Sequence, residues 1–258
     1  MENGFKSASL KRQRSKQHEA TIKEVLRVLD KHGIFYQLAD RSALKTKPRV
    51  DLIITVGGDG TVIAAAHVAD KLPILGVNSM PGVSIGHFCS ANAKTFEKIL
   101  TRIIEKKQKP KQLPLLQGTI DDRPLSMLAL NDILFANSSP AESVYYSIRN
   151  GKNREFQRGS GIWISAGPGS TAGYCSAGGK PSALTSATIR YLVREACPLP
   201  RKKYRMLKGA VQKGKEIAIT CEGQGCTVYL DGTSLKKEMR AGQTLKVGVA
   251  EHALSLYA

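Results

Sequence analysis

The chain has 258 residues, 41% of them hydrophobic, enough to bury a good core yet short for two large independent domains; one α/β domain with a smaller partner fits best. Its formal net charge of +18 attracts polyanions in general, whether nucleic acid, membrane, ATP or dinucleotide, and does not choose among them. No run of roughly eighteen apolar residues occurs, and no apolar segment follows the basic N-terminal residues, so neither a spanning helix nor a secretory signal is read and a soluble intracellular protein is expected.

In chain order, Lys11-Arg12-Gln13-Arg14-Ser15-Lys16 reads as a solvated basic arm. The residues after Ser9 read as a helix, because Ile22, Val25, Leu26 and Leu29 recur at helical spacing and Lys31-His32-Gly33 supplies a basic last turn and a glycine stop. Ile34-Phe35-Tyr36 predicts a short strand, and the apolar run Asp51 to Val56 a strand buried on both faces. Val62 to Val68 predicts a helix, Leu72 to Val77 a second buried strand, and Thr95 to Glu105 an amphipathic helix with Phe96, Ile99, Leu100 and Ile103 on one face. This alternation predicts a doubly wound parallel α/β domain over residues 1–110. From 111 to 258 the segments are short and β-rich: Leu115 to Ile120, Leu125 to Phe135, Val144 to Ile148, Gly161 to Ser165, Glu216 to Thr220, Cys226 to Leu230 and Thr244 to Val249. Ala183 to Arg194 reads as helical among them, and Arg201 to Arg205 as a solvated basic loop. The expectation is a β-rich, sandwich-like second domain, with the extreme C-terminus free to return to the first.

The five cysteines, Cys89, Cys175, Cys197, Cys221 and Cys226, are odd in number and form no C-x-x-C pair, so no disulfide framework or zinc knuckle is expected. Cys221 and Cys226 are placed to meet across a hairpin, but two thiols alone read more simply as buried small residues. No cluster with metal-ligand spacing is found.

Three segments carry chemistry. Gly57-Gly58-Asp59-Gly60-Thr61 lies between a buried strand and a helix, where an open α/β sheet offers backbone N–H groups and a helix N-terminus to an anion. A plain turn needs one or two glycines, whereas three flank this carboxylate, which favours function. Gly159 to Gly173 ends a hydrophobic strand in small and hydroxyl residues; it serves equally as a tight turn or as a platform for an aromatic base or a phosphate. In Ala129-Leu130-Asn131-Asp132-Ile133-Leu134, a polar pair interrupts an apolar strand, so at least one side chain needs a buried partner, a sugar hydroxyl or a neighbouring backbone.

Taken together, GGDGT, Asn131-Asp132 and the Ser170-Thr171-Ala172 loop ending in Ser176-Ala177-Gly178-Gly179 resemble the NAD kinase family in order and spacing. Val228-Tyr229-Leu230-Asp231-Gly232 looks like that family's β-domain Asp-Gly. Gly76-Val77-Asn78, Gly86-His87-Phe88-Cys89 and Tyr145-Tyr146 look closest to the mitochondrial-type branch and its bacterial relatives.

The resemblance implies transfer of the ATP γ-phosphoryl group to the 2′-hydroxyl of the adenosine ribose of NAD or NADH, with magnesium arriving alongside ATP. It makes Asp59 the catalytic carboxylate and places Gly57, Gly58, Gly60 and Thr61 beside the donor phosphates. Asn131 and Asp132 would hold the adenosine and ribose, and Ser170, Thr171 and Ala172 would enclose the adenine. His87 and Phe88 would border the nucleotide, and Asp231 would be a further nucleotide-binding residue. A homo-oligomer built through the β-rich domain is implied, in the cytoplasm or, for a eukaryotic source, the mitochondrial matrix, with no nucleic-acid or membrane partner.

The chain departs from the family pattern at Asp132, where glutamate is usual, at Ser160, where an acid often stands, at Gly173, where tyrosine follows Thr-Ala, and at His87, where another aromatic is common. It also lacks the hydrophobic strand that normally precedes the first helix, which reads as a sheet one strand short or a truncated start. Two rivals remain: a lipid or other small-molecule kinase sharing GGDG, and a non-catalytic dinucleotide- or nucleic-acid-binding protein.

Overall fold

A computed structural model describes residues 2–43, 46–197, 200 and 203–258, so Arg201 and Lys202 of the second basic cluster lie outside the described residues. The chain divides into two units, Met1–Gln112 with Leu254–Ala258, and Leu113–Ala253. Among the described residues, no helix is long and apolar enough to cross a membrane.

The first unit is a parallel sheet with helices on both faces. Helix α1 (Glu2–Lys31) starts earlier than its apolar spacing indicates and buries Val25, Val28 and Leu29. It stops at Gly33, whose φ of +63° is left-handed backbone open to glycine, and Ile34 N–H bonds back to Leu29 O at 3.0 Å. The strand expected at Ile34-Phe35-Tyr36 does not form; Phe35 is 90% exposed, so this apolar triplet has no sheet to join. Strand β1 (Ile53–Gly57) runs parallel to β2 (Ile74–Asn78), from Ile53 opposite Ile74 to Gly57 opposite Asn78. Both carboxyl ends therefore finish at one level. Helix α2 (Asp59–Ala69) lies between them in sequence and buries Val62, Ala65 and Ala69.

Strand β3 (Cys89–Asn92) also pairs parallel with β2, as do Leu256 and Tyr257 at the chain end. Helix α3 (Phe96–Ile104) lays Phe96 and Leu100 into one cluster with Val25, Val28 and Leu29 of α1 and Leu75 and Val77 of β2. Each such fully buried aliphatic side chain contributes about 1.5–3 kcal/mol. The doubly wound reading of this segment thus agrees with the structure.

The second unit is a β-sandwich. One layer contains β4 (Lys111–Ile120), the two-residue β5 (Arg123–Pro124), β7 (Val144–Asn150), β8 (Asn153–Gly159), β12 (Ile217–Cys221) and the first part of β15 (Thr244–Tyr257). The other orders β11 (Lys208–Ala210), β10 (Arg190–Arg194), β9 (Gly161–Ser165), β6 (Asp132–Asn137), β13 (Cys226–Leu230) and β14 (Leu235–Glu238) side by side. Alternate residues of both layers fill one core, among them Ile133, Phe135, Tyr146, Ile148, Ile162, Ile164, Ile219, Val228 and Val247.

Three expectations need correction here. Ala183 to Arg194 is not helical; residues 183–189 are irregular and Arg190–Arg194 is strand β10, antiparallel to β9, with Tyr191 buried in the sandwich core. The segment from Leu125 becomes a strand only at Asp132, so Asn131-Asp132 opens β6 rather than interrupting it. Cys221 and Cys226 are joined by a disulfide, because β12 and β13 end and begin across a tight loop that brings their Cα atoms to 6.3 Å.

Candidate active site

In the first unit, β1 passes through Gly58 directly into α2, so Asp59 is the first helical residue. A Cβ on Gly57 would overlap Thr61 Oγ1, which confines that position to glycine. Asp59 is half-buried, and its carboxylate is gripped by two backbone donors: His87 N–H reaches Oδ2 at 3.0 Å and Phe88 N–H reaches Oδ1 at 2.8 Å. One donor per oxygen fixes the carboxylate's orientation and leaves a lone pair on each oxygen for a ligand.

Phe88 acts here through its main chain alone, since its ring is 2% exposed and belongs to the interior; His87 is exposed. Beside the turn, buried Asn78 ties the loop that delivers those donors, giving Nδ2–H to Ser84 O at 3.0 Å and accepting Met80 N–H at 2.9 Å. Ser79 N–H bonds to Gly57 O at 3.0 Å. Sequence reasoning used Asn78 only as a mark of resemblance; its bracing role follows from its place at the end of β2.

In the second unit, Asp231 sits in the turn after β13 with φ +47° and accepts three backbone N–H groups: Leu130 at 2.9 Å, Asn131 at 2.7 Å and Asp132 at 3.3 Å. It thereby shapes the chain that presents Asn131, whose carboxamide makes no hydrogen bond among the described residues and is partly exposed. The 3-10 turn Pro168–Thr171 lies directly on this backbone: a Cβ on Gly169 would overlap Asn131 O and lie 2.6 Å from its Cα. Ser170 is 1% exposed, and its hydroxyl donates to Gly167 O at 2.7 Å and accepts Ser182 N–H at 2.9 Å. That hydroxyl braces the loop, leaving Thr171 and Ala172 as its partly exposed members.

Asp132 is 5% exposed, and burial with the nearby Asp231 carboxylate raises its pKa to about 7 despite a hydrogen bond from Gly173 N–H. Because the folded value lies above the unfolded value near 3.8, protonation favours the fold. The stability this gives is complete below the unfolded pKa and is lost as pH rises through about 7. Asp132→Asn is therefore expected to be more stable than the parent at pH 8, by roughly 2–4 kcal/mol, and to converge with it near pH 4. Thermal unfolding of both proteins across that range checks this; a parent whose stability relative to Asp132→Asn does not change with pH would contradict it.

Among the described residues, no group of three or more His, Cys, Asp or Glu could hold a metal ion. The carboxylate at the GGDGT turn is Asp59 alone.

Residues 1–108 match the family ATP-NAD kinase N-terminal domain. The chain is 30% identical to a probable NADH kinase of Oryza sativa subsp. japonica over 91% of this chain and 79% of that protein. It is 29% identical to an NAD kinase of Thermococcus sibiricus over 88% and 83% respectively. The crystal structure of an NAD kinase from Archaeoglobus fulgidus in complex with ATP shares the fold, with a TM-score of 0.75, 20% identity, and coverage of 92% of this chain and 89% of that one.

Proposed function

As this chain belongs to the NAD kinase family and phosphorylates NAD(H) with ATP as donor, we propose a division of labour among its residues. Asp59 orients the 2′-hydroxyl of the adenosine ribose for attack on the γ-phosphoryl group, and Gly57, Gly58, Gly60 and Thr61 border the donor phosphates. Asn131 and Asp132 hold the adenosine ribose, with Asp231 positioning them. Thr171 and Ala172 lie along the adenine, and Ser170 braces their loop. The observation that carries this reading is the Asp59 carboxylate, clamped by His87 and Phe88 N–H at the N-terminus of α2.

Phosphoryl transfer asks mainly for positioning and charge stabilisation, which a fixed carboxylate and an anion-binding turn supply. Magnesium, when bound with ATP, neutralises charge between the phosphates, and a free lone pair of Asp59 is the protein ligand on offer. Purified protein given ATP, magnesium, NAD and NADH together should yield a dinucleotide carrying one added phosphate, resolved by mass spectrometry. With diacylglycerol or sphingosine added as a competing acceptor, phosphate on the lipid and none on either dinucleotide would replace this reading with a lipid kinase.

A homo-oligomer is part of the proposal. Leu192, Trp163, Leu134 and Tyr229 are cross-strand neighbours in one row of the six-stranded layer, all half-buried and on the face away from the sandwich core. Such a row suits contact with a second copy. Sedimentation should give a dimer or tetramer; a monomer at micromolar concentration would remove this element. The cytoplasm is the proposed compartment.

A further inference from the structure

Resting on the reading of ATP as donor, we propose that Arg41 and His18, which lie outside the GGDGT segment, bind the donor's phosphates. A triphosphate at this turn brings several negative charges next to the Asp59 carboxylate. The turn itself answers with only partial charge: the N–H groups of Asp59 and Gly60 have no acceptor among the described residues, and α2 adds its dipole. Full positive charge and further donors have to come from elsewhere, and the fold brings Arg41 and the imidazole of His18 to this turn.

Arg41 occupies the 3-10 turn Arg41–Ala43, and its Nη1 lies 3.6 Å from where a Cβ on Gly60 would stand. It is exposed and makes no ion pair among the described residues, so its planar fork is free to take phosphate oxygens two at a time. On the other side, α1 carries the half-buried His18, whose Nδ1 lies 3.0 Å from Ser79 Oγ. Ser79 in turn bonds to Gly57 O through its N–H, which fixes the imidazole beside the first glycine of the motif. Nε2 has no partner among the described residues and is the atom available to a phosphate. Ser84 completes the lining, with its Oγ 2.7 Å from the position of a Cβ on Gly58. A lone surface arginine or an interior histidine would each have a structural explanation; an arginine without an ion pair and a histidine whose Nε2 has no partner among the described residues, both brought to one anion-binding turn, are explained by an anion.

The test uses the full chain with Arg41→Ala, His18→Asn, which keeps an amide near the Nδ1 position to bond Ser79, and the double variant. Calorimetry with inorganic tripolyphosphate and with NAD is run beside steady-state NADP formation. Arg41→Ala is expected to weaken tripolyphosphate binding and raise KM for ATP by about tenfold or more, as loss of a charged hydrogen bond does. His18→Asn is expected to do so by about threefold, and the double variant by roughly the product, with NAD affinity within about twofold throughout. Unchanged tripolyphosphate affinity in Arg41→Ala, or equal losses for tripolyphosphate and NAD, would overturn the assignment. Wild-type protein that binds tripolyphosphate in this Arg41-dependent way, yet forms no NADP, would uphold the phosphate site while refuting the activity it rests on.

Discussion

Asp59→Asn is expected to lower turnover by at least about two orders of magnitude while NAD affinity stays within about twofold. Asparagine keeps the shape and one acceptor oxygen, so either the His87 or the Phe88 N–H retains its bond, and the turn between β1 and α2 is otherwise untouched. What it removes is the negative charge and the free lone pair proposed to orient the attacking hydroxyl and to be on offer to a metal bound with ATP. Since phosphoryl transfer depends on position and field, the loss should fall on kcat with little change in KM for NAD. Steady-state kinetics paired with calorimetric NAD binding and a thermal midpoint separate this from misfolding. A variant that folds and turns over at the parental rate would take Asp59 out of the mechanism.

The second large effect is expected at Asp231, a residue proposed to touch no reacting atom. Its carboxylate accepts the N–H groups of Leu130, Asn131 and Asp132, and those acceptors vanish together in Asp231→Ala. Each orphaned donor that water does not reach costs about 1–3 kcal/mol, and alanine at a φ of +47° adds strain that asparagine bears more easily. Asp231→Ala should therefore lose on the order of 3 kcal/mol or more of stability, with NAD affinity falling at least tenfold as Asn131 loses its setting. Asp231→Asn should lose roughly half as much stability, because it keeps one acceptor and tolerates the backbone. Urea unfolding and NAD titration of both variants measure this. Parental stability and affinity in Asp231→Ala would show that the loop holds its shape without the carboxylate.

How far the sequence could be read varied with the physics involved. The parallel unit was legible because β1 and β2 are buried or half-buried at every position and mostly apolar, while α3 repeats Phe96, Ile99, Leu100 and Ile103 at helical spacing. Ile34-Phe35-Tyr36 has the same local character but no neighbouring strand, and propensity cannot report a missing partner. Ala183 to Arg194 misled through its alanines and its helix-compatible spacing, whereas pairing with β9 decides its end as strand.

At the site, GGDGT was visible as an excess of glycine around one acid. The clamp on Asp59 was not, because it comes from the main chain of His87 and Phe88, and backbone donors leave no signature in residue type. The same holds for Ser170, whose hydroxyl braces its own loop, and for Asp231, whose three acceptor contacts lie about a hundred residues away in sequence. Long-range side-chain-to-backbone bonds are where composition and spacing stop being informative.

The central claim is that the γ-phosphoryl group of ATP is carried to the adenosine ribose 2′-hydroxyl of NAD(H). It is tested most directly by incubating the wild-type protein with NAD, magnesium and ATP labelled with 18O in the γ-phosphoryl group, and following the products by 31P NMR. The predicted result is a 2′-phosphate resonance of NADP carrying the label, with ADP formed in equal amount. ADP and free labelled phosphate without any NADP resonance, or label on another hydroxyl, would contradict it.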